Sequence, residues 1–150
     1  MTMAIHLSQP LSQNTKGKVR KLYNKLESDL DQKDLNHIKK NLKKSLDTLK
    51  LSRRLILRDI YMHIKAMDNI LKQSDYKFAK LDKNETKLAA TIMYFIECDD
   101  VIPDYVTGIG YDDDAYCINH CYSTLSRGIK DKMYDYVKAM VNYMTTFPSE

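Results

Sequence analysis

Hydrophobic positions in the first half of this chain recur at steps of three and four residues, which is the spacing of amphipathic α-helices. Three such stripes follow one another between residues 15 and 72. They consist of Val19, Leu22, Tyr23, Leu26 and Leu30; of Leu35, Ile38, Leu42, Leu46 and Leu49; and of Ile56, Ile60, Ile64, Met67 and Leu71. Asp34 is predicted to cap the second helix, and Ser52, where the stripe shifts phase, to cap the third. The pattern leaves open whether 34–72 is one bent helix or two.

A more uniformly apolar segment follows, from Leu88 to Ile96. Just ahead of it, Asp82 and Glu85 have the spacing of a capping box, in which each side chain bonds the backbone of the other residue. A helix that is apolar on almost every side is typical of a buried position. We therefore expect residues 83–98 to form the central buried helix, with no transmembrane segment, because a span requires about 20 apolar residues.

Two more helices complete the pattern. One is predicted to begin with Asp113 or Asp114 as its cap and to end near Ser126, and the last to run from Ile129 to just before Pro148. The sequence has no alternating strand pattern of useful length. The expected fold class is all-α, a compact bundle of about six helices. Residues 1–14 are predicted to be a loose arm and residues 15–150 a single helical domain.

The charges are unevenly distributed. The chain carries a net charge of +4, but residues 15–72 hold 16 Lys and Arg against 7 Asp and Glu, and residues 73–114 hold 4 against 10. A basic half of this kind can attract nucleic acid or an acidic partner. It can equally attract the acidic segment of the same molecule, or the lysines can simply cover the solvent faces of long helices.

The cysteines and the first residues bear on the cellular compartment. Three cysteines are present, Cys98, Cys117 and Cys121. The opening stretch MTMAIHLSQPLSQ lacks the charged and apolar regions of a signal peptide. Since an odd number of cysteines without a secretory signal is typical of reduced thiols, the sequence predicts a cytoplasmic protein.

The stretch DDVIPDYVTGIGYDDDA, residues 99–115, concentrates negative charge directly after the central helix. Pro103 disfavours helical backbone at Ile102, so the central helix is expected to stop near 98–100. Carboxylates at the start of the next helix would meet unpaired N–H groups and the positive end of the helix dipole. The six aspartates are Asp99, Asp100, Asp104, Asp112, Asp113 and Asp114. They are the predicted recognition site for a partner or, alternatively, caps and braces of a helical corner.

A cation is a further alternative for this loop. Clustered carboxylates repel one another, and hard oxygen donors suit Mg²⁺, Mn²⁺ or Ca²⁺. The candidate ligands are Asp100, Asp104, Asp113 and Asp114, although the spacing is not that of an EF-hand. No other cofactor is indicated by the sequence.

The same stretch resembles the signature of the YkvA-like family, a helical domain of unknown function. AATIMYFIECDDVIPDY supplies an apolar helix followed by an Asp-x-Ile-Pro-Asp run, with Asp100, Pro103 and Asp104 in the matching places. GIGYDDDA supplies the turn and the Asp–Asp pair, with Gly110 and Asp113 matching. The resemblance covers residues 82–125. It implies a helical core and a focal point, and it implies no reaction.

Two other patterns indicate chemistry. Arg58 and His63 match the Arg-x₄-His pattern of HEPN-type ribonucleases, in which His63 would act as acid and base and Arg58 would hold a phosphate. Cys117, His120 and Cys121 lie within about one helical turn and could join His37, His63 or Cys98 around zinc. Each has a structural alternative, a solvated basic helix in the first case and small buried apolar thiols in the second.

The sequence therefore favours a non-enzymatic, partner-binding protein of a regulatory, immunity or antitoxin-like kind. Its recognition surface would be the acidic loop 99–114, and its partner a basic protein. The alternative is a metal-dependent or HEPN-like phosphodiesterase or ribonuclease, with Arg58 and His63 as the catalytic pair.

Overall fold

The computed structural model describes residues 3–50, 52–97 and 110–146 of the chain. These residues form six α-helices and one short 3₁₀ turn, Phe78–Lys80. The helices are α1 Gln13–Asp29, α2 Gln32–Asp47, α3 Leu55–Gln73, α4 Lys83–Glu97, α5 Asp112–Thr124 and α6 Arg127–Thr146. The described part of the chain contains no strand, which confirms the predicted all-α class. None of its helices is long and apolar enough to cross a membrane.

Helix α4 is the centre of the bundle, as the sequence predicts. Its residues 88–94 are all buried, and α1, α2, α3 and α5 pack around it. Ala89 and Ala90 are fully buried and, being small, allow the neighbouring helices to approach closely. The predicted capping box is also confirmed, because Glu85 N donates to Asp82 Oδ1 over 2.8 Å and Asp82 N donates to Glu85 Oε1 over 3.4 Å.

The region 34–72 contains two helices rather than one bent helix, and α2 ends at Asp47. The predicted cap of α2 is wrong by three residues. Asp31 is the N-cap, and Asp34 is its partner in a reciprocal capping box, with both bonds at 3.1 Å. The predicted cap of α3 is also wrong, since Arg54 holds that position and Ser52 Oγ only accepts from Arg54 N.

The residues ahead of α1 do not form the loose arm that the sequence predicts. Met3 and Ile5 are buried, with exposed fractions of 9% and 3%. Ile5 N donates to Asn119 Oδ1 over 2.8 Å, and Asn119 Nδ2 donates to Ile5 O over 2.9 Å. This pair of bonds imitates one rung of a β-ladder, so the arm is fastened to α5 through its backbone.

Candidate functional site

The three aspartates that close the acidic loop lie inside the protein. Asp112 and Asp113 are fully buried and Asp114 is 3% exposed. They occupy the first turn of α5, after Tyr111 as its N-cap, so the prediction that Asp113 or Asp114 caps this helix is wrong. Carboxylates in a first turn are nonetheless stabilised by the positive end of the helix dipole. None of the three offers its side chain to the surface.

Asp112 holds the N-terminal arm. Its Oδ1 accepts from Ser8 N over 2.6 Å and its Oδ2 accepts from Gln9 N over 3.2 Å. Burial raises the pKa of Asp112, and the two backbone N–H groups oppose that shift. The carboxyl group therefore connects the start of α5 to a segment more than 100 residues away in the sequence, and no local pattern could have indicated this role.

Asp113 bonds the central helix. Tyr94 Oη donates to Asp113 Oδ2 over 2.8 Å, and both side chains are fully buried. Burial, together with the neighbouring Asp113 carboxylate, raises the pKa of Tyr94, so the phenol keeps its proton and acts as the donor. This bond fixes the start of α5 against the middle of α4.

The other end of the loop is also held in place. The carboxylate of Glu97, the last residue of α4, is hydrogen-bonded to Nε2 of His37 on α2, and both side chains remain half exposed. The predicted residues Asp99, Asp100 and Asp104, together with Cys98, lie outside the described residues. The end of α4 and the start of α5, which residues 98–109 connect, are therefore both bonded to other parts of the bundle.

An open groove of about 440 Å³ lies at the base of this loop. We call it the loop-base groove. Glu97, the last residue described before the gap, and Tyr111, the second residue described after it, both contribute to its wall. Its lining consists of Phe95, Ile96, Glu97 and Tyr111, with His37, Asn41, Lys44, Ser45 and Thr48 from α2. The groove thus combines aromatic and aliphatic surface with a polar rim.

His63 is placed differently from what the ribonuclease pattern requires. It is 4% exposed. Its Nδ1 lies 2.7 Å from Asp59 O and its Nε2 lies 2.8 Å from Met3 O. A neutral ring donates to one of these carbonyls and an imidazolium donates to both, so in either form the ring nitrogens face the backbone. His63 fastens the arm to α3 and leaves no nitrogen turned towards solvent.

The cysteines of α5 are part of the core. Cys117 and Cys121 are buried, with exposed fractions of 1% and 0%. Burial raises the pKa of Cys121 to about 11, and its Sγ lies 3.6 Å from Lys87 O. His120 instead packs on aromatic rings, with its centroid 5.5 Å from that of Tyr23. In the described ranges, no three His, Cys, Asp or Glu side chains converge as metal ligands would.

A second groove, between α2 and α3, was not predicted from the sequence. It has a volume of about 450 Å³. We call it the lysine groove, because five lysines line it: Lys39, Lys43, Lys50, Lys65 and Lys72. The remaining lining residues are Ile38, Leu42, Leu46, Asp47, Tyr61, Asp68 and Tyr76. The sequence signal was available in part, since Lys39 and Lys43 are four residues apart and Lys65 and Lys72 seven apart, which places each pair on one helix face.

Asp68 organises one side of the lysine groove. It is 6% exposed. Its Oδ2 lies 3.3 Å from Lys65 Nζ and 3.2 Å from Lys72 Nζ, and its Oδ1 accepts from Tyr76 Oη. A buried carboxylate with three partners holds both ammonium groups in one region, so their positions are set before any ligand arrives.

The turn that carries Tyr76 is strained. Asp75 and Tyr76 have φ of 55° and 53°, the left-handed region that costs a residue other than glycine about 1–2 kcal/mol. The helix end is closed by Tyr76 N donating to Leu71 O over 3.2 Å, and Gln32 Nε2 donates to Tyr76 O over 2.9 Å. These bonds, together with the contact of Tyr76 with Asp68, offset the strain and keep the Tyr76 ring in the groove wall.

Comparisons of this chain with family models, with curated proteins and with solved structures gave no match. The resemblance to the YkvA-like family therefore stays a prediction from the residues of 82–125. What the protein does has to be argued from its own geometry.

Proposed function

We propose that this protein is a non-enzymatic binding protein of a regulatory, immunity or antitoxin-like kind, which recognises a basic protein partner at the acidic loop. The observation that supports this is the loop-base groove, from whose walls the acidic segment leaves and to which it returns. Because Asp112, Asp113 and Asp114 are buried, the recognising carboxylates in this proposal are Asp99, Asp100 and Asp104.

The two surfaces would have different tasks. Interfaces gain most of their affinity from aromatic and aliphatic side chains in a desolvated pocket, and charges at the rim mainly set association rate and partner choice. Phe95, Ile96 and Tyr111 supply the apolar part of the groove. The loop carboxylates would steer a cationic surface towards that groove and reject acidic proteins.

The fixed ends of the loop favour binding. A loop whose flanking residues are mobile loses more conformational entropy when a partner orders it than a loop whose flanking residues are already held in place. Here the Tyr94–Asp113 bond and the arm bonds of Asp112 secure the α5 end, while the Glu97–His37 pair secures the α4 end. We place this binding function in the cytoplasm, the reducing compartment in which a buried thiol such as Cys121 persists.

The alternative, a HEPN-like ribonuclease, is less well supported by the geometry. A catalytic acid or base has to reach its substrate within about 3 Å. Both nitrogens of His63 face backbone carbonyls in a site that is 4% exposed. For His63 to act on a phosphodiester, the arm would have to leave, and His63 would have to break its bond to Met3 O.

The test compares two triple variants with the same change in charge. One replaces Asp99, Asp100 and Asp104 by Asn. The control replaces three exposed aspartates elsewhere on the bundle by Asn, namely Asp29, Asp131 and Asp135. Proteins captured from a lysate by the wild type are identified, purified and titrated against all three forms over a range of NaCl concentrations, with and without EDTA. Thermal melts confirm that each variant is folded.

We expect the loop variant to weaken binding of the purified partner by about tenfold or more, mainly through a slower association rate with a reduced dependence on salt. The control variant should stay within about twofold. Equal affinities for the two triple variants would contradict the assignment of the loop. Ribonuclease activity that disappears in His63→Ala would support the alternative instead.

A further inference from the structure

We propose that the lysine groove is a binding site for a phosphate-bearing small ligand of nucleotide size. This site shares no lining residue with the loop-base groove and does not depend on the function proposed above. It rests on three features of the groove between α2 and α3: its charge, the positioning of that charge by Asp68, and its volume.

The charge of the groove is strongly positive. Five lysines and two aspartates line it, which leaves a net charge of +3. Lys39 and Lys43 approach from α2, Lys50 follows the end of that helix, and Lys65 and Lys72 approach from α3. Lysines on two facing walls of a concave surface add their fields in the space between them, and this attracts an anion with several negative charges.

The positioning of the charge indicates a ligand rather than a solvated surface. Asp68 is almost completely buried and pairs with both Lys65 and Lys72, whose side chains are 33% and 58% exposed, so the carboxylate keeps these two partly solvated ammonium groups next to each other. The left-handed backbone at Asp75 and Tyr76 places the tyrosine that also bonds Asp68. Strained backbone that is retained by surrounding bonds is typical of functional sites, where it positions groups in advance.

The volume of the lysine groove limits the size of the ligand that it can hold. At about 450 Å³ the groove falls in the range of small-molecule sites, about 300–1,000 Å³. Tyr61, half-buried in the α3 wall, is the aromatic side chain of this wall that a planar group could contact. A nucleotide combines the phosphates and the planar group that these walls suit.

The experiment uses isothermal titration of the full chain with ATP, pyrophosphate and adenosine as probes. The groove variant carries Lys43→Gln and Lys72→Gln. Its control carries Lys25→Gln and Lys132→Gln, which removes two exposed lysines from α1 and α6. A third variant, Tyr61→Ala, tests the planar contact. Circular dichroism melts establish that all forms are folded.

We expect ATP and pyrophosphate to bind at micromolar to millimolar concentration and adenosine not to bind. The groove variant should weaken ATP about tenfold or more, since two charged contacts to phosphate are lost, and the control should stay within about twofold. Tyr61→Ala should weaken ATP and leave pyrophosphate unchanged, which separates a nucleotide from a bare polyphosphate. The Asp99, Asp100 and Asp104 triple variant should bind ATP normally, so this test and that of the acidic loop can fail independently.

Three results would overturn the proposal. One is the absence of heat for both phosphate probes with the folded wild type. Another is an equal loss of ATP binding in the groove and control variants, which would mean attraction by the whole basic half. The last is an acidic helical peptide, or a long oligonucleotide, that binds in the groove while neither small phosphate does.

Discussion

The buried bond between Tyr94 and Asp113 gives the most direct test of how this protein holds its acidic loop. Tyr94→Phe removes one hydroxyl group and leaves the ring, so it creates almost no cavity. The phenol and the carboxylate are both fully buried and 2.8 Å apart. After the substitution, water cannot replace the lost donor without opening the interface between α4 and α5.

The magnitude follows from the type of bond. A hydrogen bond to a charged group contributes about 1.5–3 kcal/mol, and a buried acceptor that loses its donor falls in the upper part of that range. We expect Tyr94→Phe to lower the free energy of unfolding by about 2 kcal/mol. For a domain of this size, that loss corresponds to a melting temperature lower by about 4–8 °C.

The assay is urea unfolding followed by circular dichroism, with Tyr143→Phe as the control, because that ring is 66% exposed. The control should change the free energy of unfolding by less than about 0.5 kcal/mol. In an Asp113→Asn background, Tyr94→Phe should cost only about 1 kcal/mol, since the bond is then between neutral groups. A loss below about 0.5 kcal/mol for Tyr94→Phe in the wild type would refute the reasoning.

Three further outcomes follow from the same structure. Asn119→Ala removes both bonds to Ile5, so amide hydrogens of residues 3–9 should exchange about tenfold faster or more, as measured by mass spectrometry. Burial raises the pKa of Asp112 above its ordinary value of 3.8. The protonated carboxyl group therefore stabilises the folded protein fully below pH 3.8, and this stabilisation is lost as the pH rises through the pKa of the folded state. Unfolding free energies measured between these two pH values should show the wild type losing stability relative to Asp112→Asn as the pH rises. Cys117 and Cys121 are buried, and the pKa of Cys121 is raised to about 11, so iodoacetamide at pH 8 should modify them only after unfolding.

The first two of these outcomes have a control variant. Asn24→Ala, on the exposed face of α1, should leave exchange in the arm unchanged. Asp131→Asn, at an exposed position of α6, is the matched control for the pH series. If the amide hydrogens of residues 3–9 exchange as fast in the wild type as in Asn119→Ala, the arm is not held by the bonds to Asn119. Rapid alkylation of Cys121 in the folded protein would contradict its place in the core.

The sequence by itself determined the elements of this fold whose causes are local. The period of the apolar stripes places α1, α2 and α3, and the unbroken apolar run from Leu88 identifies α4 as the buried centre. The bond between Asp82 and Glu85 needs only residues three apart, so their spacing predicts it correctly. The N-caps predicted at Asp34 and Ser52 were wrong because several polar residues near each helix start could occupy that position, and the sequence alone does not distinguish them.

Only the tertiary structure decided what the chemically interesting side chains do. Three aspartates in succession predict solvent-exposed side chains at the start of α5. In the folded protein, however, Asp112 accepts from the backbone of Ser8 and Gln9, and Asp113 accepts from Tyr94. The sequence pattern suggests His63 as a catalytic acid or base, but in the folded protein its Nε2 faces the backbone carbonyl of Met3 in the N-terminal arm. The lysine groove likewise exists only because α2 and α3 both pack on α4 and bring their lysines to one surface. A sequence pattern records which residues share a face of one helix, whereas burial and charge density depend on which faces the folded chain brings together, and those contacts join residues up to 114 positions apart.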